Sequence, residues 1–296
     1  MSKPLQFARS QKPLDATSAA DWWRRTEDTR AENSWSIDRA IALGATADRL
    51  GYAFLGGYTS AVTVLDPTIT GLGALCATES GGGHPRAILT TIENGRLTGT
   101  KHFVSGSHLA TDLLVVAKTG EKNGRPELKV ARIATNRPGV KIDEGATLDF
   151  VPEIPHGAVT FENAQVDTVL EGDGYERYLK PFRTHEDLHV FGAVLACLIA
   201  NCRSQFPQPL TEQLLGLLAA IQTLGREDAT SPVVHLALAG VISTATALID
   251  SIDLTLLEPG FRDRLYRDRP LLQLASRARE QRRIKAWSEA IATPSR

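Results

Sequence analysis

The spacing of apolar residues changes character twice along this 296-residue chain, and that double switch limits the folds open to it. From Ile37 the apolar or small positions fall at Ala40, Ile41, Gly44, Ala47, Leu50, Phe54, Tyr58, Ala61, Val62 and Leu65. Such three-four spacing predicts one long helix, or two stacked end to end, broken near Gly56-Gly57 and stopped by Pro67. From about Leu72 to Leu170 the pattern becomes a series of short β-rich runs at 74–78, 87–92, 102–105, 113–117, 128–133 and 158–161. Turn signals separate them, among them Glu93-Asn94-Gly95, Asn123-Gly124 and Arg137-Pro138-Gly139. A parallel α/β sheet needs helical crossovers and none is visible, so a small antiparallel barrel or sandwich is expected. After Tyr175 the helical spacing returns over 186–203, 211–224, 233–257 and 262–292, and four helices with short connections predict an antiparallel bundle.

Composition adds mainly exclusions. Lys plus Arg (33) nearly balances Asp plus Glu (34), so no global field draws the chain to nucleic acid or anionic lipid. Three cysteines, Cys76, Cys197 and Cys202, have neither a disulfide framework nor zinc spacing, and no metal is expected. The first thirty residues lack an apolar core like that of a secretion signal, and 1–35 read as a polar lead-in anchored by Trp22, Trp23 and Trp35. The most apolar stretches, 188–200 and 233–249, carry His189 or His235, Ser243, Thr244 and Thr246, so neither is expected to span a membrane. A reducing, cytoplasmic setting is the expectation.

Two segments of the β-rich region carry the chemistry. The first reads Leu75-Cys76-Ala77-Thr78-Glu79-Ser80-Gly81-Gly82-Gly83-His84, and the second Leu97-Thr98-Gly99-Thr100-Lys101-His102-Phe103-Val104-Ser105-Gly106-Ser107. In that order they resemble the C-x-T-E-P-x-A-G-S-D and L-x-G-x-K-x-[WF]-I-[TS]-N-G segments of the acyl-CoA dehydrogenase family of flavoenzymes. Arg203-Ser204-Gln205-Phe206-Pro207-Gln208-Pro209-Leu210 resembles that family's R-x-x-F-G-x-P-L, and Leu265-Tyr266-Arg267-Asp268 its L-x-R-D. The resemblance covers about 36–290. It implies an α+β fold with a shortened N-terminal helical domain over 1–70, a middle antiparallel β-barrel-like domain over 71–175 and a C-terminal four-helix bundle over 176–296.

The resemblance also implies FAD as cofactor and α,β-dehydrogenation of an acyl thioester, an acyl-CoA or an acyl-carrier substrate. Thr78 and Ser105 correspond to residues that hydrogen-bond the isoalloxazine edge, and Phe103 to the aromatic packed against it. Gly83, in the run Gly81-Gly82-Gly83, would let backbone approach a phosphate. His84 stands where the family has Ser and shares that contact. Arg203 corresponds to the arginine that reaches the FAD of a neighbouring subunit, which implies a homodimer or a heteromer with a related chain.

Removing an α-proton from a thioester needs a base, since that proton is a very weak acid. Ungapped extension of the L-x-R-D match puts Ser276 where the family has its catalytic Glu, and a serine with no adjacent base cannot do this work. Some family members carry the Glu on the first bundle helix. Here Arg183-Thr184-His185-Glu186-Asp187-Leu188-His189 makes Glu186 the catalytic candidate, against a plainer reading in which Thr184 caps the helix and Glu186-Asp187 complement its dipole. His185 is the alternative in a shifted register, and His189 reads as a core histidine. The family's Gln-x-x-Gly-Gly segment has no counterpart, since 253–260 occupy that region. From Arg262 to Lys285 eight Arg and one Lys face Asp263, Asp268 and Glu280, which reads as a solvated, ion-paired helix face or a phosphate contact. Two further readings stay open: a non-catalytic partner subunit of a complete dehydrogenase, and a flavin monooxygenase-type relative.

Overall fold

Ten α-helices and eight strands account for most of the ordered backbone in the computed structural model, which describes residues 3–143, 145, 147–202 and 204–292. Five helices come first: α1 (Lys3–Ser10), α2 (Ala19–Arg25), α3 (Glu27–Ala31), α4 (Ser36–Thr46) and α5 (Leu50–Leu65). The strands follow as β1 (Gly73–Cys76), β2 (Thr91–Glu93), β3 (Arg96–Ser105), β4 (Asp112–Lys122), β5 (Arg125–Ala134), β6 (Val140–Asp143), β7 (His156–Gln165) and β8 (Thr168–Val169). The last helices are α6 (Lys180–Cys202), α7 (Gln208–Leu224), α8 (Pro232–Asp250), α9 (Pro259–Asp268) and α10 (Ser276–Ala292). Contacts divide the chain into two units. One joins Met1–Ala61, Asp149–Glu153 and Thr184–Arg296, and the other joins Val62–Leu148 and Ile154–Arg183.

In the helical unit the break between the first long helices falls at Ala47–Arg49, not at Gly56-Gly57. Those glycines are helical and serve close packing instead. A β-carbon on Gly57 would lie 2.8 Å from the α-carbon of Val190, and one on Gly44 would lie 2.1 Å from the carbonyl oxygen of Ala193. Both α4 and α5 therefore press their backbones onto α6, which only glycine permits. Helix α6 starts earlier than its apolar spacing suggests. Asp173 accepts from the amides of Tyr175 and Glu176 at 2.9 and 2.7 Å, opening a π-turn at Gly174–Leu179 that runs into the helix. Thr184 thus lies inside α6 and does not cap it; its buried hydroxyl sits 3.3 Å from Nε2 of His235.

The expected single helix over 262–292 is instead α9, a 3₁₀ turn at Arg269–Gln273 and α10, because Pro270 cannot donate to a continuing helix. Helix α8 is, by length and composition, apolar enough to cross a membrane, a test that a core helix also passes. It buries Val234, Leu238, Ile242, Ala245 and Ile249, and packs against α7 and α10.

The other unit is built on one eight-stranded curled sheet in the order β6-β7-β3-β2-β4-β5-β8, with β1 paired to β4. Most pairings are antiparallel, as the tight turns predict. Two are parallel, β1 with β4 and β2 with β4, and strands rather than helices supply their long connections. Strands β6 and β8 are not legible in the sequence because they are only 4 and 2 residues long, too short to show an alternating pattern. The run at 87–92 splits into a 3₁₀ turn at Pro85–Ala87 and the short β2. Leu113, Leu114, Val115, Val116 and Ala117 of β4 are all fully buried, which explains a continuous apolar run in place of alternation.

Candidate functional site

The two sequence segments singled out above meet along β3. The amide of His102 donates to the carbonyl of Thr78 at 2.8 Å, joining the end of the first segment to the middle of the second. Beneath that bond lies a buried ion pair: Lys101 Nζ sits 2.6 Å from Glu79 Oε1, with the two side chains 0% and 5% exposed. Glu79 also accepts from the amides of Leu89 and Thr90 at 2.9 and 3.1 Å, so one carboxylate fixes three stretches of chain. Reciprocal backbone bonds between Glu79 and Gly82 close the glycine turn. Burial opposes charge on Lys101 and lowers its pKa. For Glu79 burial acts the other way, but the ammonium and the two amides outweigh it and hold the carboxyl below its usual range.

Sequence reading passed over Glu79 and Lys101, although both lie inside the quoted segments. The available signal was a lysine two residues after Gly99 on a strand whose Leu97 faces the core, since alternate residues share a face.

Register is lost between Lys101 and Val104 as β3 crosses β7, a β-bulge that leaves Phe103 at φ +55°. That left-handed conformation is rare for a bulky side chain. The ring is also 67% exposed. Nearby, the hydroxyls of Thr78 and Ser105 are half-buried and have no hydrogen-bond partner among the described residues. Gly82 adopts φ +97° with open space where a β-carbon would stand, and at Gly83 a β-carbon would meet only the Thr78 hydroxyl, at 3.5 Å. Thr78, Gly83, Phe103 and Ser105 are thus connected through one scaffold. His84 instead caps the 3₁₀ turn at Pro85–Ala87, where its Nδ1 accepts from the amide of Arg86 at 3.2 Å. Arg203 lies outside the described residues.

Glu186 belongs to the helical unit, half-buried on α6. The adjacent Asp187 is held by two arginines: Arg279 lies 3.0 Å from one carboxylate oxygen and Arg282 bonds the other. Ser276 opens α10 and has no ionisable partner among the described residues. The basic C-terminal stretch is consumed mainly by such long-range pairs: Arg264 with Asp48, and Arg267 with Glu153 and Asp268. Asp187→Ala would leave two largely buried guanidiniums uncompensated. A loss of about 3 kcal/mol in denaturant unfolding is expected, and a loss under about 1 kcal/mol would show the trio to be dispensable. The thiols offer no chemistry. Burial raises Cys76 and Cys202 to about 12 and Cys197 well above its usual value, so all three stay protonated near neutrality.

No protein-family model and no curated protein matches the chain. Solved structures do. The FAD complex of PigA superposes with a TM-score of 0.67 at 13% identity over 96% of this chain and 95% of that one. Butyryl-CoA dehydrogenase from Megasphaera elsdenii gives 0.62 at 12% identity, over 91% and 87%. The fold is that of the acyl-CoA dehydrogenases. The prolyl acyl carrier protein oxidase AnaB shares it, with a TM-score of 0.66 at 15% identity over 98% and 97%. Within this acyl-CoA dehydrogenase fold, the region with no Gln-x-x-Gly-Gly counterpart is a 3₁₀ turn at Leu254–Leu256 capped by Asp253, followed by the start of α9.

Proposed function

We propose that the protein is a flavin-dependent oxidoreductase that binds FAD and dehydrogenates an acyl thioester, carried by CoA or by an acyl carrier protein, between Cα and Cβ. The observation that carries this reading is Phe103, a strained and exposed aromatic held at a bulge near two hydroxyls without partners among the described residues. Backbone strain of this kind costs on the order of 1–3 kcal/mol and persists where the surroundings enforce it, typically at ligand sites. A planar ring system laid on Phe103 would gain a stacking partner. The same ligand's edge would offer acceptors to the hydroxyls of Thr78 and Ser105. The open space at Gly82 and Gly83 suits a close backbone approach, so these residues fit a flavin.

FAD, when bound, supplies a hydride acceptor. The chain must then supply a base for the α-proton and donors that stabilise the charge developing on the thioester oxygen. Glu186 is the base in this proposal, receiving the α-proton on its carboxylate as the hydride leaves Cβ. A homodimer in which Arg203 of one copy serves the FAD of the other belongs to the same reading.

The purified protein is expected to show flavin absorbance, or to be thermally stabilised by added FAD. Phe103→Ala should weaken FAD binding about tenfold through loss of stacking. Anaerobic addition of acyl thioesters should bleach the flavin in the parent and not in Glu186→Gln. Absence of any FAD binding would overturn the proposal, and bleaching by the Glu186→Gln variant would overturn the base assignment. One observation favours a second reading, a flavoprotein subunit without turnover: Ser276, which opens α10, has no hydrogen bond to an ionisable side chain among the described residues. Bound flavin that no thioester reduces would select it.

A further inference from the structure

Residues 149–153 lie between β6 and β7 in sequence, yet their contacts place them in the helical unit. Val151 is fully buried at φ +42°, a conformation that crowds a β-branched side chain. Pro152 follows it, and a residue before proline favours an extended φ of about −120°. The backbone is thus held against two local preferences at one residue, and only tertiary contacts can hold it there. We propose that 149–153 form a sprung strap that leaves its seat as Glu153 ionises and closes as Glu153 takes up a proton.

Two anchors on α9 hold the strap shut. The Val151 amide donates to Asp268 Oδ1 at 2.8 Å, and the Asp268 side chain is fully buried. Arg267 donates to Glu153 Oε2 at 3.1 Å, but the same terminal nitrogen also bonds Asp268 at 2.9 Å, and Nε bonds Asp268 at 2.7 Å. Glu153 therefore has only a share of one guanidinium. Its other oxygen, Oε1, is buried with no hydrogen-bond partner among the described residues. That oxygen rests against the backbone of α5, where a β-carbon on Gly51 would overlap it.

Such a seat suits a neutral carboxyl better than a carboxylate. The groups around it are Asp268 and Arg267 of α9, and Asp48, Arg49 and Tyr52 at the start of α5. Arg49 is spent on Asp48, which it bonds at 2.7 and 2.8 Å. Burial does most to raise the Glu153 pKa and the Asp268 carboxylate adds to it; the Glu153 amide, Arg267 and Arg49 pull the other way without cancelling them. Because the closed strap binds the proton more tightly than the open, solvated one, the gain in closure is complete below the ordinary carboxylate range. It is lost as pH rises through the raised value. Opening also reaches the start of β7, where the Pro155 carbonyl accepts from the Gly106 amide at 2.7 Å and His156 is in register with Ser105. The strap works in this way whether or not Ser105 serves a flavin.

Amide hydrogen exchange on the full-length protein tests this, read at Val151, Glu153 and Gly106. Protection factors, which remove the intrinsic pH dependence of exchange, are compared at pH 7.5 and pH 5.5 against amides of the β4–β5 pairing. In the parent, Val151 and Glu153 should be protected about threefold or more better at pH 5.5, with Gly106 moving in the same direction. Glu153→Gln keeps the shape and removes the charge. It should be as protected at pH 7.5 as the parent is at pH 5.5, with no further change between the two. The parent's own pH profile needs no variant, so a Glu153→Gln protein that failed to fold would leave the proposal open to refutation. Equal protection of the parent strap at both pH values, or a folded Glu153→Gln protein that exchanges as fast as the parent at pH 7.5, would overturn it.

Discussion

Acidification from neutrality to about pH 4.5 is expected to remove on the order of 4–5 kcal/mol of stability through two histidines of α6. His189 is fully buried, with Nδ1 2.6 Å from the carbonyl of His185 and Nε2 2.9 Å from the Ser36 hydroxyl. Burial pushes its pKa down to about 3, and the adjoining His185 and Arg39 act in the same direction. Burial lowers His185 to about 4, against a modest opposing pull from Asp228. Its Nδ1 is buried without a hydrogen-bond partner.

The sign follows from the depressed values. Between the unfolded pKa of 6.5 and the folded values, the unfolded chain binds protons that the folded chain refuses. Stability therefore falls as pH drops through that window and is fully retained above it. A typical domain has about 5–15 kcal/mol in total, so this alone approaches acid unfolding. Urea unfolding from pH 7.5 to pH 4.5 measures it. His185→Leu, which also removes the orphaned nitrogen, should flatten the acid limb by about half. An unchanged slope in that variant would mean that other groups set the acid limit.

Lys101→Met is the second large effect, with an expected loss of about 3–5 kcal/mol, because it leaves Glu79 charged and buried with no cation. Glu79→Gln/Lys101→Met should recover part of that loss, since the double variant buries no charge. Amide exchange at Leu89 and Thr90, whose N–H groups bond the Glu79 carboxylate, should accelerate in Lys101→Met. The lowered pKa of Glu79 fixes the pH dependence. The pair's contribution is complete above the ordinary carboxylate range and is lost as pH falls through the folded value, so parent and Lys101→Met should converge in acid. A Lys101→Met cost under about 1 kcal/mol, or a double variant weaker than the single, would show that the pair does not clamp the glycine turn.

The sequence carried the α+β architecture well where long periodic stretches met simple burial. Helices α4, α5, α7 and α8 and the central strands β3, β4, β5 and β7 were all present in the pattern, because their apolar residues recur at the period of the element. Boundaries were weaker. Asp173 starts the π-turn that leads into α6, but its local signal lay several residues before the apolar spacing. The Gly56-Gly57 pair read as a break, because sequence alone does not distinguish a glycine that ends a helix from one that lets two helix backbones touch.

Within the candidate site, residue identity was legible in the order of the two segments, and contact geometry was not. Thr78, Phe103 and Ser105 could be named from their place in those segments. The ion pair beneath them could not, since Lys101 and Glu79 look like ordinary surface charges until the fold removes their solvent. The same holds for Asp187, which read as a helix-dipole residue and is a partner of Arg279 and Arg282, far along the chain.

By itself, then, the sequence determined the order of helices, strands and helices and the chemical types available at the site. Those follow from local periodicity and residue chemistry, which need no knowledge of distant parts of the chain. Only the tertiary structure decided which charges are buried and paired and which histidines stay neutral. Solvation and pairing depend on neighbours brought together by folding, and these set the energy of a charge far more strongly than residue type does.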